Sequence, residues 1–253
     1  MLDKMEFDKC LSELSLPKQG IKGSNRGYKP EQLVKQFITS VWCGANKFEH
    51  TEVTRQDVVI RQFWGFKQMA GHKSFQRFFN KFGLAINQEV FTELYQWFFK
   101  NLQFDNFTLD VDSSICPRYG MQQGAKKGYN PKKPSRASHH PLMAFVSECK
   151  MVANFWLRSG DAYTSNNIEA FLDDTFEKLS GKRIGLLRAD SGFYDRKVFQ
   201  YLESKNIPYI IAARLYAPVQ QLIAHHTTGM RLSDGIEQAL SLQLLYHQFR
   251  AAA

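Results

Sequence analysis

Thr108–Ser114 reads TLDVDSS, and with Phe107 in front of it the stretch alternates like a strand with one face in a core. Phe107, Leu109 and Val111 fall on one face, Thr108, Asp110 and Asp112 on the other. Carboxylates are disfavoured inside a protein unless something pairs with them. Two on one face therefore call for solvent or for a cation. A half-exposed strand satisfies the first condition, and a strand end that holds a metal ion satisfies the second. The surrounding sequence has to choose.

Downstream, PLMAFVSE, KMVANFWLRSG, RIGLLRAD and PYIIAAR are short apolar runs of strand type. Between the second and third, SNNIEAFLDDTFEKLSG places Ile168, Phe171, Leu172, Thr175, Phe176 and Leu179 on one helical face. Ser165 is its expected N-cap and Gly181 its expected stop. DRKVFQYLESKN predicts a second helix, with Asp195 near its start. Three strands in succession, then helix, strand, helix, strand, define an α/β fold: a mixed sheet with helices on its faces.

The first hundred residues predict helices instead. One begins at Pro30, with Leu33, Val34, Phe37 and Val41 on its apolar stripe. Phe75, Phe78, Phe79 and Phe82 form a second stripe, and Phe91, Leu94, Tyr95, Phe98 and Leu102 a third, with Trp97 and Phe99 lying off it. The composition shift near Phe104–Asn106 divides the chain into a helical region, 1–103, and an α/β region, 104–253.

The chain of 253 residues carries a formal net charge of +9, which suggests a polyanionic partner. Cys10, Cys43, Cys116 and Cys149 are widely spaced, without the close pairs of zinc or redox motifs. The opening MLDKMEFDKC mixes charges into its first turns and is not read as a signal peptide, and no apolar run reaches membrane-spanning length. A cytoplasmic protein without a membrane partner is expected.

Asp190 closes the apolar run RIGLLRAD, and Ser191-Gly192 turns the chain away. Functional groups in open α/β sheets gather at the carboxyl ends of strands. If the strands ending at Asp112 and Asp190 are neighbours, their carboxylates converge, and converging carboxylates repel unless they share a proton or a cation. Mg²⁺ is the usual cation where phosphoryl chemistry is done. Directly after the first strand, RYGMQQGAKKGYNPKKPSR carries Arg118, Lys126, Lys127, Lys132, Lys133 and Arg136 and no acid. With Tyr119, Tyr129 and three glycines interleaved, it suits a phosphate backbone better than it suits a plain solvated loop.

Taken in order, LDVDSS, KGYNPKK, SHHPLMAF, NFWLRSG, LLRADSGFYD and YIIAAR closely resemble the bacterial insertion-sequence transposases of the DDE domain group 1 branch. The resemblance runs from near the start of the chain to about Val219. It implies an RNase H-like catalytic domain over 104–253, behind a helical region for DNA contact or assembly. It also implies metal-dependent strand cleavage and transfer at terminal inverted repeats, with Mg²⁺ or Mn²⁺. DNA is then the partner, as transposon ends and target, and a homodimer on DNA is expected. Carried over by position, Asp112 is the first catalytic and metal-binding aspartate and Asp190 the second. Arg118, Lys126, Lys127, Tyr129, Lys132, Lys133 and Arg136 are the DNA contacts. Asp110 and Arg188 stand beside the metal site, where Arg188 orients a carboxylate, touches phosphate or forms a structural ion pair. His139 and His140 match the family pattern, but adjacent residues on an extended chain point apart, which disfavours joint metal ligation. His225 and His226 meet the same objection.

The family needs a third acid, a glutamate on a helix beyond the last strand. ALSLQLLYHQFRAAA supplies none, and Glu237 sits in surroundings that do not match, so it is not assigned. The expectation is a truncated or frameshifted copy, with an inactive DNA-binding remnant as the alternative. A more distant alternative is a haloacid-dehalogenase-like phosphatase, whose Asp-x-Asp motif the Asp110–Asp112 stretch imitates, with Asp110 as nucleophile.

Overall fold

The computed structural model describes residues 5–18, 27–214, 216, 217 and 220. Glu237, His225, His226 and the stretch ALSLQLLYHQFRAAA lie outside the described residues. The chain divides into two compact units, residues up to 103 with 177–180, and residues 104–176 with those from 181 onward.

The first unit contains α1 (Phe7–Glu13), α2 (Pro30–Trp42), α3 (Thr51–Gln56), α4 (Val58–Phe63), α5 (His72–Phe79) and α6 (Leu84–Lys100). Pro30 occupies the first turn of α2, where its missing N–H costs nothing. Leu33, Ala70, Phe75 and Phe78 form a fully buried cluster, against which Val34, Phe37, Phe79 and Phe82 pack. The Phe37 and Phe79 rings meet edge to face at 4.9 Å. Two stripes differ from the sequence expectation. Val41 is 48% exposed, while Gln36 and Ser40 are buried in its place. Gln36 is satisfied there by a two-way bond with the backbone of Ala70, at 2.7 and 2.8 Å, and the Ser40 hydroxyl meets that of Thr54 at 2.6 Å. In α6, Phe91 is exposed and Phe99, expected off the stripe, is fully buried.

The second unit opens with β1 (Phe107–Ser113), followed by the very short β2 (Cys116–Pro117), β3 (Lys126–Lys127) and β4 (Ala137–His139). Then come β5 (Leu142–Val146), β6 (Met151–Trp156), α7 (Ile168–Lys178), β7 (Ile184–Ala189), α8 (Arg196–Ser204) and β8 (Tyr209–Ile211). Five strands form one sheet in the order β6-β5-β1-β7-β8. The tight β5–β6 connection forces an antiparallel pair, and β5 also runs antiparallel to β1. The helical crossovers α7 and α8 bring β7 and β8 back parallel. This is the RNase H-like arrangement, a mixed sheet with flanking helices.

Alternation along β1 follows the sequence reading, with Phe107, Leu109 and Val111 buried. Ala144, Val146 and Leu187 continue that buried layer, and α7 buries Ile168, Phe171, Leu172, Thr175 and Leu179. The expected Ser165 cap is not formed. α7 starts three residues later at Ile168, whose N–H reaches the Ser165 carbonyl rather than its hydroxyl, because residues Tyr163–Asn167 are spent on a turn. Asp195 does cap α8, accepting from Lys197 N–H at 2.8 Å. The opposite face of the sheet carries Asp110 and Asp112, and register places them beside Phe145 and Met143.

Candidate active site

The parallel register of β1 and β7 sets the electrostatics of that face. Asp110 pairs with Arg188 and Val111 with Ala189, so the next positions, Asp112 and Asp190, leave adjacent strands at the same level. The two successive rungs differ in sign. Arg188 clasps Asp110 through Nε to Oδ1 at 2.7 Å and Nη2 to Oδ2 at 2.9 Å, and also donates to Ser147 Oγ at 2.9 Å. That bidentate bond holds the Asp110 carboxyl below its usual value and pushes Arg188 up. Both Asp110 oxygens are thereby engaged, and Asp110 and Arg188 form an ion pair one rung behind the strand ends.

Asp112 and Asp190 are both exposed. Each has one oxygen held by the backbone just beyond it: Ser113 N–H donates to Asp112 Oδ1 at 2.7 Å, and Gly192 N–H to Asp190 Oδ1 at 2.9 Å. Neither makes an ion pair with any described residue. Two carboxylates at adjacent strand ends, each with a free oxygen and no protein cation, form a donor set that fits a hard divalent ion. Among the described residues no group of three or more His, Cys, Asp and Glu side chains is close enough to hold a metal by itself.

The segment expected to be a basic loop is folded into a second sheet, in the order β2-β4-β3. Strands of two and three residues carry no periodicity, so their sequence gave no sign of them. The close approach of Gly128 to Gly160 locks this sheet against the segment after β6: a side-chain carbon at Gly128 would sit 1.8 Å from the Gly160 carbonyl oxygen. Folding divides the predicted DNA contacts. Arg118 Nε donates to His139 Nδ1 at 2.8 Å, and Lys126 pairs with Asp161 at 3.2 Å. Lys133 bonds the Tyr119 hydroxyl, drawing that phenol below its usual value, and Arg136 lies over the same ring at 4.8 Å. The side chains of Lys127, Tyr129 and Lys132 are exposed and make no hydrogen bond or ion pair with the described residues.

His139 and His140 point apart. His139 Nε2 donates to the Gln123 carbonyl at 2.9 Å while its Nδ1 accepts from Arg118. His140 Nδ1 donates to the Ala162 carbonyl at 2.7 Å, leaving Nε2 to meet the Ser113 hydroxyl at 3.1 Å. Two arginines near the strand ends were not singled out from sequence. Arg214, just after β8, donates from Nε to the Ser191 carbonyl at 2.9 Å, at the turn that carries Asp190. Arg158 is buried and donates only to carbonyls. The endings of YIIAAR and NFWLRSG were the available signals for both.

The sheet thus sets two aspartates, neither ion-paired with a described residue, at the ends of its central strands. Over residues 3–253 the chain matches the family described as transposase DDE domain group 1, and it belongs to that family. Among solved structures the chain is similar to the piggyBac transposase in a synaptic complex with hairpin DNA, at 13% identity and a TM-score of 0.47, over 92% of this chain and 52% of that one. It is also similar to the catalytic domain of the Mos1 mariner transposase (14% identity, TM-score 0.30, 66% of this chain and 80% of that one). A third is the Mos1 mariner paired end complex with Mn (12% identity, TM-score 0.31, 94% and 75%). The chain thus spans about half the length of the piggyBac protein. No curated protein matches it. No helix among the described residues is long and apolar enough to cross a membrane.

Proposed function

We propose that this chain is the catalytic polypeptide of an insertion-sequence transposase, acting on DNA in the cytoplasm. The observation that carries the reading is the rung formed by Asp112 and Asp190, two carboxylates at adjacent strand ends without a protein cation. Asp112 and Asp190 would hold Mg²⁺ or Mn²⁺, which when bound polarises a phosphodiester and generates the attacking oxygen nucleophile. The chain's own residues do the positioning. Backbone N–H groups of Ser113 and Gly192 fix one oxygen of each carboxylate and leave the other free. Lys127, Lys132 and Tyr129 are available to the DNA backbone from the small sheet, while Arg118, Lys126, Lys133 and Arg136 shape that sheet and add positive potential. The helical region contributes DNA contact or assembly, and the working species is a dimer on the element's ends.

The test is a cleavage assay on duplexes carrying the inverted repeats that flank the reading frame, with Mg²⁺ or Mn²⁺ and with chelator. Metal-dependent nicking at the repeat end, abolished in Asp112→Ala and Asp190→Ala, is the expected result. Specific binding that persists in both variants, with no cleavage by the wild type, would instead establish the DNA-binding remnant.

A further inference from the structure

The loop Ala162–Asn166 reaches the two residues whose backbone N–H groups hold the aspartates. Thr164 Oγ1 lies 3.3 Å from Ser113 Oγ, next to the N–H that serves Asp112. On its other side Thr164 abuts Gly192, whose N–H serves Asp190. A side-chain carbon built at Gly192 would come within 2.8 Å of Thr164 Cγ2. One residue therefore stands between the two carboxylate-bearing turns.

The loop does not rest there by chance contact. Arg158 is only 8% exposed, and its Nη1 donates to the carbonyls of Tyr163, Thr164 and Asn166 at 3.1, 3.2 and 2.8 Å. Its Nε donates to the His140 carbonyl at 3.1 Å. His140 completes the clasp by donating to the Ala162 carbonyl at 2.7 Å and meeting the Ser113 hydroxyl at 3.1 Å. Burying a guanidinium without an acid partner is costly, and burial lowers its proton affinity. Four neutral carbonyls from two segments offset that cost only if the loop keeps this shape. Lysine, with one compact head, cannot reproduce the fan of donors.

We infer that Thr164, held by Arg158 and His140, is a positioning residue that sets the spacing of Asp112 and Asp190 for a divalent ion. The inference rests on the proposed metal site. Residues that orient metal ligands typically contribute 10–100-fold in metal affinity.

The experiment is Mn²⁺ titration by calorimetry, paired with thermal unfolding of the same samples. Asp112→Ala and Asp190→Ala serve as references. Thr164→Ala is expected to weaken Mn²⁺ about tenfold with an unchanged unfolding midpoint. Thr164→Ser, which keeps the hydroxyl beside Ser113, is expected to recover most of the affinity, and Gly192→Ala to weaken it by crowding both Thr164 and Asp190 Oδ1. Wild-type affinity in Thr164→Ala overturns the inference. So does an affinity loss that Thr164→Ser does not recover and that tracks a falling unfolding midpoint, since that describes a loop with a structural role only. If the wild type binds Mn²⁺ no better than the two aspartate variants, the metal-site reading itself fails, and this inference falls with it.

Discussion

Two rungs of one strand pair, a single pleat apart, behave as opposites. At Asp110 and Arg188 the register sets a carboxylate beside a guanidinium, and the two clasp through two hydrogen bonds. At the next same-face step the strands end in Asp112 and Asp190, like charges with only backbone N–H groups to hold them. The first rung is complete in the protein alone. The second has no ion-pair partner among the described residues and on the proposed reading takes a cation, so one sheet face would separate stability from chemistry over two residues.

The largest expected effect breaks the second rung. Asp112→Asn or Asp190→Asn should lower metal-dependent strand cleavage by about 10²–10³-fold or more, read by gel assay, and leave the urea midpoint unchanged or slightly raised. A midpoint that fell sharply in either variant would show these acids to be structural. The complementary change breaks the first rung. Arg188→Met leaves Asp110 without its partner and should cost up to about 1 kcal/mol in urea unfolding while Mn²⁺ affinity holds. Equal stability of this variant and the wild type would remove the distinction between the rungs.

DNA binding sharpens a parallel distinction between tied and free lysines. Lys127→Ala with Lys132→Ala should reduce the slope of log Kd against log salt by about two, whereas Lys126→Ala, whose ammonium already pairs with Asp161, should change it by less than about one. Equal slopes would mean that the ion pair does not persist on DNA.

The smallest effect lies in the helical unit. Glu52 accepts from the His72 N–H at 2.8 Å and pairs with Arg55 at 2.8 Å, which lowers its carboxyl from 4.5 to about 2. A depressed carboxylate stabilises the fold above its unfolded value, and that contribution is lost as pH falls through the folded one. The difference in unfolding midpoint between wild type and Glu52→Gln should therefore close as pH falls from 4.5 towards 2. A gap that widened on acidification would reverse the assignment.

The strands of the main sheet were legible because β1 and the apolar runs carry the period of two, or the continuous burial, that a central sheet requires. Asp112 and Asp190 were legible as strand-end acids. Their relation to Asp110 and Arg188 was not, since the choice between an ion pair and a phosphate contact depends on a parallel register between residues 78 apart. Helix stripes failed where polar groups found partners inside. Gln36 and Ser40 are buried because Ala70 and Thr54 satisfy them, and Val41 is displaced to the surface. The small sheet had no local signature and the clasp of Arg158 none beyond the ending of NFWLRSG, because their bonds join segments whose own composition reads as loop.

The central claim is that Asp112 and Asp190 form one metal site. The most direct measurement is a double-variant cycle of Mn²⁺ affinity using Asp112→Asn, Asp190→Asn and the pair together, by calorimetry without DNA. Either substitution is expected to remove nearly all measurable binding, and the double variant to bind no more weakly than the singles, the mark of a shared ion. Independent, additive losses, or undiminished binding in Asp190→Asn, would contradict the claim.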